Sequence, residues 1–166
     1  MTHLEQIATS SAAEILDAYE PTFPVDGRLI AESLGIVYCY RSFHPAIDGC
    51  AGVAPDGTRL VVINNHMSKP ETRLRYTMLH EIAHHLIAEQ VRFTTDFWLD
   101  APRQRKTPLD RACDLFAAHV LIPEAMLREW WHELRGNKEC RNAVICNRLG
   151  VSAVALDIRA KGLELR

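Results

Sequence analysis

His80, Glu81 and His84 are the residues of this chain whose types and spacing could do chemistry together. They lie in TMLHEIAHHL, residues 77–86. Two histidines four apart on a helix share one face, one turn apart, and can chelate one zinc ion. A glutamate one residue past the first histidine lies beside the metal. There it can take a proton from water and pass it to a leaving amine. On a helical wheel Leu79, Ile82, Ala83, Leu86 and Ile87 form a core stripe, with His80 and His84 together at its edge. His85 falls on the opposite flank and reads as a solvated or locally bonded histidine, and His66 as a loop residue.

A catalytic zinc wants three protein ligands. The best source of the third is TPLDRACDLFAAHVLIP, residues 107–123. Its core stripe is Leu109, Ala112, Cys113, Phe116, Ala117 and Val120. Asp110 and Asp114 lie one turn apart at one edge, and His119 lies on the other flank. Asp110 has a second reading as N3 of a helix capped by Thr107, where an acid suits the helix dipole. The wheel leaves Asp110 and Asp114 both open. Glu89, Asp96 and Asp100 are secondary candidates. Tyr38, Tyr40, His66 and His119 are open candidates for the group that stabilises an oxyanion.

These residues need elements to position them. Residues 2–19 have helical spacing, and VDGRLIAESLG (25–35) reads as a short helix with Asp26 as N-cap. IVYCY (36–40) is β-branched and aromatic, hence a strand, and the runs either side of Asp56-Gly57 read as a hairpin over 49–65. SKPE (68–71) predicts a capping box with Ser68 as N-cap, opening a helix that runs to about residue 88. The connection from 89 to 107 is long for a compact domain and could gate or bind a substrate. It holds Phe93, Phe97, Trp98 and Leu99 and runs into the basic Arg103, Arg105 and Lys106. Helices follow from Thr107 to Pro123 and from Pro123 to Leu134, then two short ones around Gly150-Val151-Ser152. The fold class is therefore α+β: mostly helical, with a small three-stranded sheet on the HExxH helix. Residues 1–136 read as the main domain and 137–166 as a helical segment on the same core.

The chain has 166 residues, 48% of them hydrophobic, enough for a core without disulfides. Its formal charge of -2 predicts no bulk nucleic-acid or membrane binding. The five cysteines show no C-x-x-C pair and fit a reducing, cytoplasmic setting. The polar, acidic start has no signal-peptide pattern, and no run of about 18 apolar residues predicts a membrane span.

Three blocks resemble the ImmA/IrrE family of zinc metallopeptidases. PVDGRLIAESLGIVYCY is similar to its helix-then-strand. LVVINNHMSKPETRLRYTMLHEIAHHLI is similar to its strand and R-F-T-x-x-H-E-x-x-H helix. DRACDLFAAHVLIP is similar to its second helix, ending F-A-A-x-L-L-M-P. RLGVSAVALDIRAKGL is similar to its C-terminal V-S-x-x-A-L-x-x-R-L. The resemblance implies a zincin-like domain with one zinc on His80, His84 and Asp110, and Glu81 as the catalytic base. Asp110 stands where the family has glutamate, one methylene longer. Asp114 stands where a residue orienting a histidine is implied. The resemblance also implies a cytoplasmic endopeptidase whose protein substrate is a helix-turn-helix repressor or antitoxin. Cutting it would derepress genes of a stress response, a mobile element or a toxin–antitoxin-like pair.

Three other readings compete. Residues 142–159 fit a helix-turn-helix, but six basic against three acidic residues over 138–166 is a weak footprint for a DNA-binding regulator. A zinc-stabilised interaction protein would bind without cutting, and would have no need of Glu81. A cysteine protease would use Cys113, whose core position suits a small apolar residue better.

Overall fold

The computed structural model describes residues 1–92, 97–100 and 106–165. Helix α1 spans His3–Tyr19 and α2 Gly27–Ser33; strands β1 (Val37–Arg41), β2 (Gly49–Val53) and β3 (Arg59–Asn64) follow. Then come α3 (Glu71–Gln90), β4 (Phe97–Asp100), α4 (Pro108–Leu121), α5 (Glu124–Glu133), α6 (Lys138–Leu149) and α7 (Ala153–Gly162). The class is α+β, as the patterning predicts.

The strands form one mixed sheet, in the order β1-β3-β2-β4. β1 pairs parallel with β3, and the β2–β3 hairpin is antiparallel, turning at Asp56-Gly57 with Gly57 at φ +86°. A fourth strand adds to the three expected. β4 lies within the long connection and pairs antiparallel with β2, Gly49 opposite Asp100 and Ala51 opposite Trp98.

Helix α3 lies between the sheet and the pair α1/α4, touching β2 and β3 on one side and both helices on the other. Every residue from Thr77 to His85 is buried. A helix buried all round needs apolar contact on every side. Met78, Leu79, Ile82 and Ala83 supply it, with Ile63, Val61, Phe116 and Ala117 from the neighbouring elements in the same core cluster. Ile145, Leu149, Val151 and Leu156 of the α6–α7 pair join that cluster. The turn between those helices places Gly150 in the left-handed region at φ +63°, and Arg75 of α3 donates to its carbonyl at 3.4 Å.

The caps explain where helices begin. Asp26 caps α2 and Thr107 caps α4, as expected. Ser68 does not cap α3: the helix opens two residues later, with Pro70 at the N-cap and no side-chain cap bond. The Ser68 hydroxyl lies 2.9 Å from Nδ1 of His66 and is engaged there instead. Among the described residues, no helix is long and apolar enough to cross a membrane.

Candidate metal centre

Helix α3 presents His80 and His84 one turn apart, their ring centroids 4.9 Å from each other. Helix α4 brings Asp110 against them, Oδ1 3.6 Å from Nε2 of His84. One atom each of His80, His84 and Asp110 lies within 4.8 Å of the other two, close enough to hold a metal ion. Two imidazoles and a carboxylate are a fitting donor set for zinc.

Asp110 serves two purposes through two oxygens. Its Oδ2 accepts from the backbone N–H of Thr107 at 2.7 Å and the Thr107 hydroxyl at 2.8 Å, closing the capping box of α4. Its Oδ1 is left facing His84. The two sequence readings of Asp110, cap and ligand, are thus geometrically compatible.

Asp114, one turn further along α4, faces the back of His80. Its Oδ1 lies 3.0 Å from Nδ1 of His80 and accepts from the Tyr76 hydroxyl at 2.7 Å. Lys106 donates to its other oxygen. Burial opposes ionisation of Asp114, but the hydrogen bonds from His80, Lys106 and Tyr76 outweigh it and hold its carboxyl below the usual range. An ionised Asp114 accepts Nδ1–H, which leaves the Nε2 lone pair of His80 free for a ligand.

The buried side of the site holds polar atoms without partners. His80 Nε2, both oxygens of Glu81, His84 Nδ1 and Asp100 Oδ2 are all buried without a hydrogen bond. Such atoms cost free energy unless a ligand satisfies them. Burial pushes the Glu81 carboxyl well up, and the neighbouring Asp100 and Asp110 carboxylates add to it. Burial, then the nearby His80, lower His84 to about 3, so its imidazole is neutral, the form that binds metal. Gly49 of β2 permits the close packing here: a Cβ on it would meet Cγ2 of Thr77 at 2.7 Å and Oε1 of Glu81 at 3.0 Å.

Other candidates are placed elsewhere. Glu89 is exposed and stands 3.6 Å from Arg59. Asp96, Phe93, Arg103 and Arg105 lie outside the described residues. The Tyr38 hydroxyl donates to Glu32, and His119 Nε2 meets Arg159 at 2.9 Å. His85 is not solvated: its Nε2 lies 3.0 Å from the Leu60 carbonyl oxygen of β3. Cys113 is fully buried and burial pushes its thiol well up, so it is no thiolate nucleophile.

Of three further neighbours of the site, two carry little sequence signal. Tyr76 was legible as one turn before His80 on the same face. Trp98, stacked on His84 at 5.4 Å between centroids, and Asp100, beside His80 and Glu81, arrive through β4.

A helix carrying two histidines one turn apart, a carboxylate facing them from a second helix and a small sheet alongside define a metallopeptidase-type domain. The sequence model of the peptidase M78 family, described as the IrrE N-terminal-like domain, matches residues 31–161. The chain belongs to that family, whose members are metal-dependent peptidases. Among curated proteins, no sequence matches the chain.

Proposed function

We propose that this protein is a zinc endopeptidase, with His80, His84 and Asp110 holding one zinc and Glu81 as the general base and acid. The observation that carries this is the cluster of buried, unpartnered donor atoms around Glu81. A metal held by His80, His84 and Asp110 would supply Lewis acidity for the scissile carbonyl and for a water near neutral pH.

The protein's own residues do the rest. Asp114 holds the His80 ring through Nδ1, and Thr107 fixes Asp110 through the cap. Glu81, shut away from bulk solvent, takes the proton of the attacking water and delivers it to the leaving amine. Burial, then the Asp100 and Asp110 carboxylates, raise its carboxyl pKa, which makes the ionised form a stronger proton acceptor.

The substrate is proposed to be a protein partner, a helix-turn-helix repressor or antitoxin, cut at one site to derepress genes. This rests on the likeness of the three sequence blocks to the family. Direct DNA binding is not favoured. Helix α7 would be the recognition helix of a helix-turn-helix, yet its exposed Val154 and Ile158 line a cavity of about 960 Å³ shared with Tyr76 and Asp114. A DNA-reading face would present cations and hydrogen-bond donors.

The test compares wild type with Glu81→Gln for metal content and for cleavage of a candidate helix-turn-helix repressor. About one zinc per chain is expected in both, with cleavage slowed roughly 10²–10⁴-fold in the variant. Wild-type cleavage by Glu81→Gln, or no zinc in the reconstituted wild type, overturns the assignment.

A further inference from the structure

β4 places one more carboxylate at the metal centre. The strand pairs with the outer edge of β2, and its last residue, Asp100, stands opposite Gly49. Gly49 is the residue that lets β2 approach Glu81. The pairing therefore delivers the Asp100 side chain to the same spot. Its side chain is 6% exposed and its Oδ2 has no hydrogen bond. Arg73 stands 3.6 Å from that oxygen, but the guanidinium spends its hydrogen bonds on Asp48.

One atom each of His80, Glu81 and Asp100 lies within 4.8 Å of the other two, and His80 also belongs to the group with His84 and Asp110. The two groups share the His80 imidazole but do not merge into one set within that distance, so Asp100 reaches an ion held by His80, His84 and Asp110 by moving in towards it. Catalytic zinc sites keep a position open for water or substrate, whereas four protein ligands close the site. Glu81 is the proton carrier in the reading above, so Asp100 is the spare ligand.

We propose that Asp100 is a fourth, exchangeable protein ligand of the metal, making the resting centre coordinatively closed. This rests on the zinc reading of His80, His84 and Asp110. Two places are filled by one segment: Asp100 takes the open coordination position, and β4 takes the β2 edge beside it. Cleavage then requires Asp100 to leave. The strand is built to allow that. Among the described residues it pairs on one side only, over four residues. Trp98, stacked on His84 and edge-on to His85, anchors it at the site. A partner that draws β4 off β2 would open the metal to water and substrate in one movement.

The experiment uses the full chain, as wild type, Asp100→Ala and Asp100→Ser. β4 pairs through its main chain, so both variants can keep the strand; circular dichroism checks the fold. Zinc affinity is read by competition with a chromophoric chelator. Access to the metal is read by titrating acetohydroxamate into the cobalt-loaded protein and following the visible absorption. A fourth ligand predicts zinc binding weaker by about tenfold or more in a folded variant, and acetohydroxamate binding tighter by a similar factor. Both changes are required. Unchanged zinc affinity shows that Asp100 is no ligand, and unchanged acetohydroxamate affinity shows that it does not fill the open position; either overturns the proposal. Wild type that holds zinc normally while the variants match it removes only this inference. Wild type that binds no zinc removes the zinc reading, and this one with it.

Discussion

Two buried polar groups lie side by side in this protein and are built on opposite principles. Around Asp48, which is 2% exposed, every charge has a partner: Lys69 and Arg73 both bond its carboxylate. Asn64 beside it is fully buried, donating to the Ile47 and His44 carbonyls and accepting from the Phe43 and His66 N–H groups. Around Glu81, linked to the first group through Asp100, whose carbonyl accepts from the Asp48 N–H, buried donor and acceptor atoms are left without partners. Satisfied polar burial stabilises a fold, whereas unsatisfied polar burial is tolerated where a ligand completes it. The first group holds the loop before β2; the second is held ready by it.

The largest effect that could break this contrast is on stability. Asp48→Ala leaves Lys69 and Arg73 without their shared acceptor in a largely buried setting. Removing one member of such a group costs about 3–5 kcal/mol, which for a chain of this size lowers Tm by roughly 10 °C. Glu81→Gln in the metal-free protein removes no hydrogen bond and should leave Tm unchanged or raised. Thermal melts of both variants, with chelator present, check the pair. Equal losses of stability would erase the distinction between the two groups.

A smaller effect sharpens the contrast at its boundary. Asp114 is satisfied on one side, by Tyr76 and Lys106, and turned towards His80 on the other. Asp114→Asn keeps the shape and removes the charge, so the His80 ring is no longer held as firmly with Nδ1–H outward. Loss of such a supporting carboxylate weakens metal binding about 10–100-fold. Zinc competition with a chelator measures it, and an unchanged affinity would make Asp114 a purely structural partner of Tyr76.

What the sequence revealed follows from how local each signal is. The histidine spacing, the cap at Thr107 and the hairpin turn at Asp56-Gly57 are each set within a few residues, and the structure shows each where the pattern puts it. β4 is different. Four residues give too short a period to read, and its partner β2 lies far away in the chain, so pairing fixes the strand more than propensity does. With β4 unread, the places of Trp98 and Asp100 at the site were unread too. The wheel for α3 failed in another way. It assumes a helix with a wet face, so it left His85 either solvated or locally bonded, whereas α3 is enclosed by the sheet on that side and Leu60 of β3 accepts from His85. Ser68 fits the capping pattern, yet the nearby His66 ring competes for its hydroxyl.

The smallest effect tests the partnered side of the comparison by pH. His119 lies on the flank of α4 away from the metal centre, where Arg159 Nη1 donates to its Nε2 at 2.9 Å. Burial and then the Arg159 charge lower its pKa to about 4, against 6.5 ordinarily. The unfolded chain therefore takes up the proton first as pH falls. The stabilisation is fully present above about pH 6.5 and is lost as pH falls through the window towards 4. One proton limits the slope to about 1.4 kcal/mol per pH unit, and partial exposure makes it less. His119→Gln keeps an acceptor for Arg159 and removes the titration. Melts of the metal-free protein at pH 7.5 and 5 should show the wild type losing more Tm than the variant. An equal loss would mean that His119 gains its proton in the folded state as readily as in the unfolded one, and that the Arg159 contact does not hold it neutral.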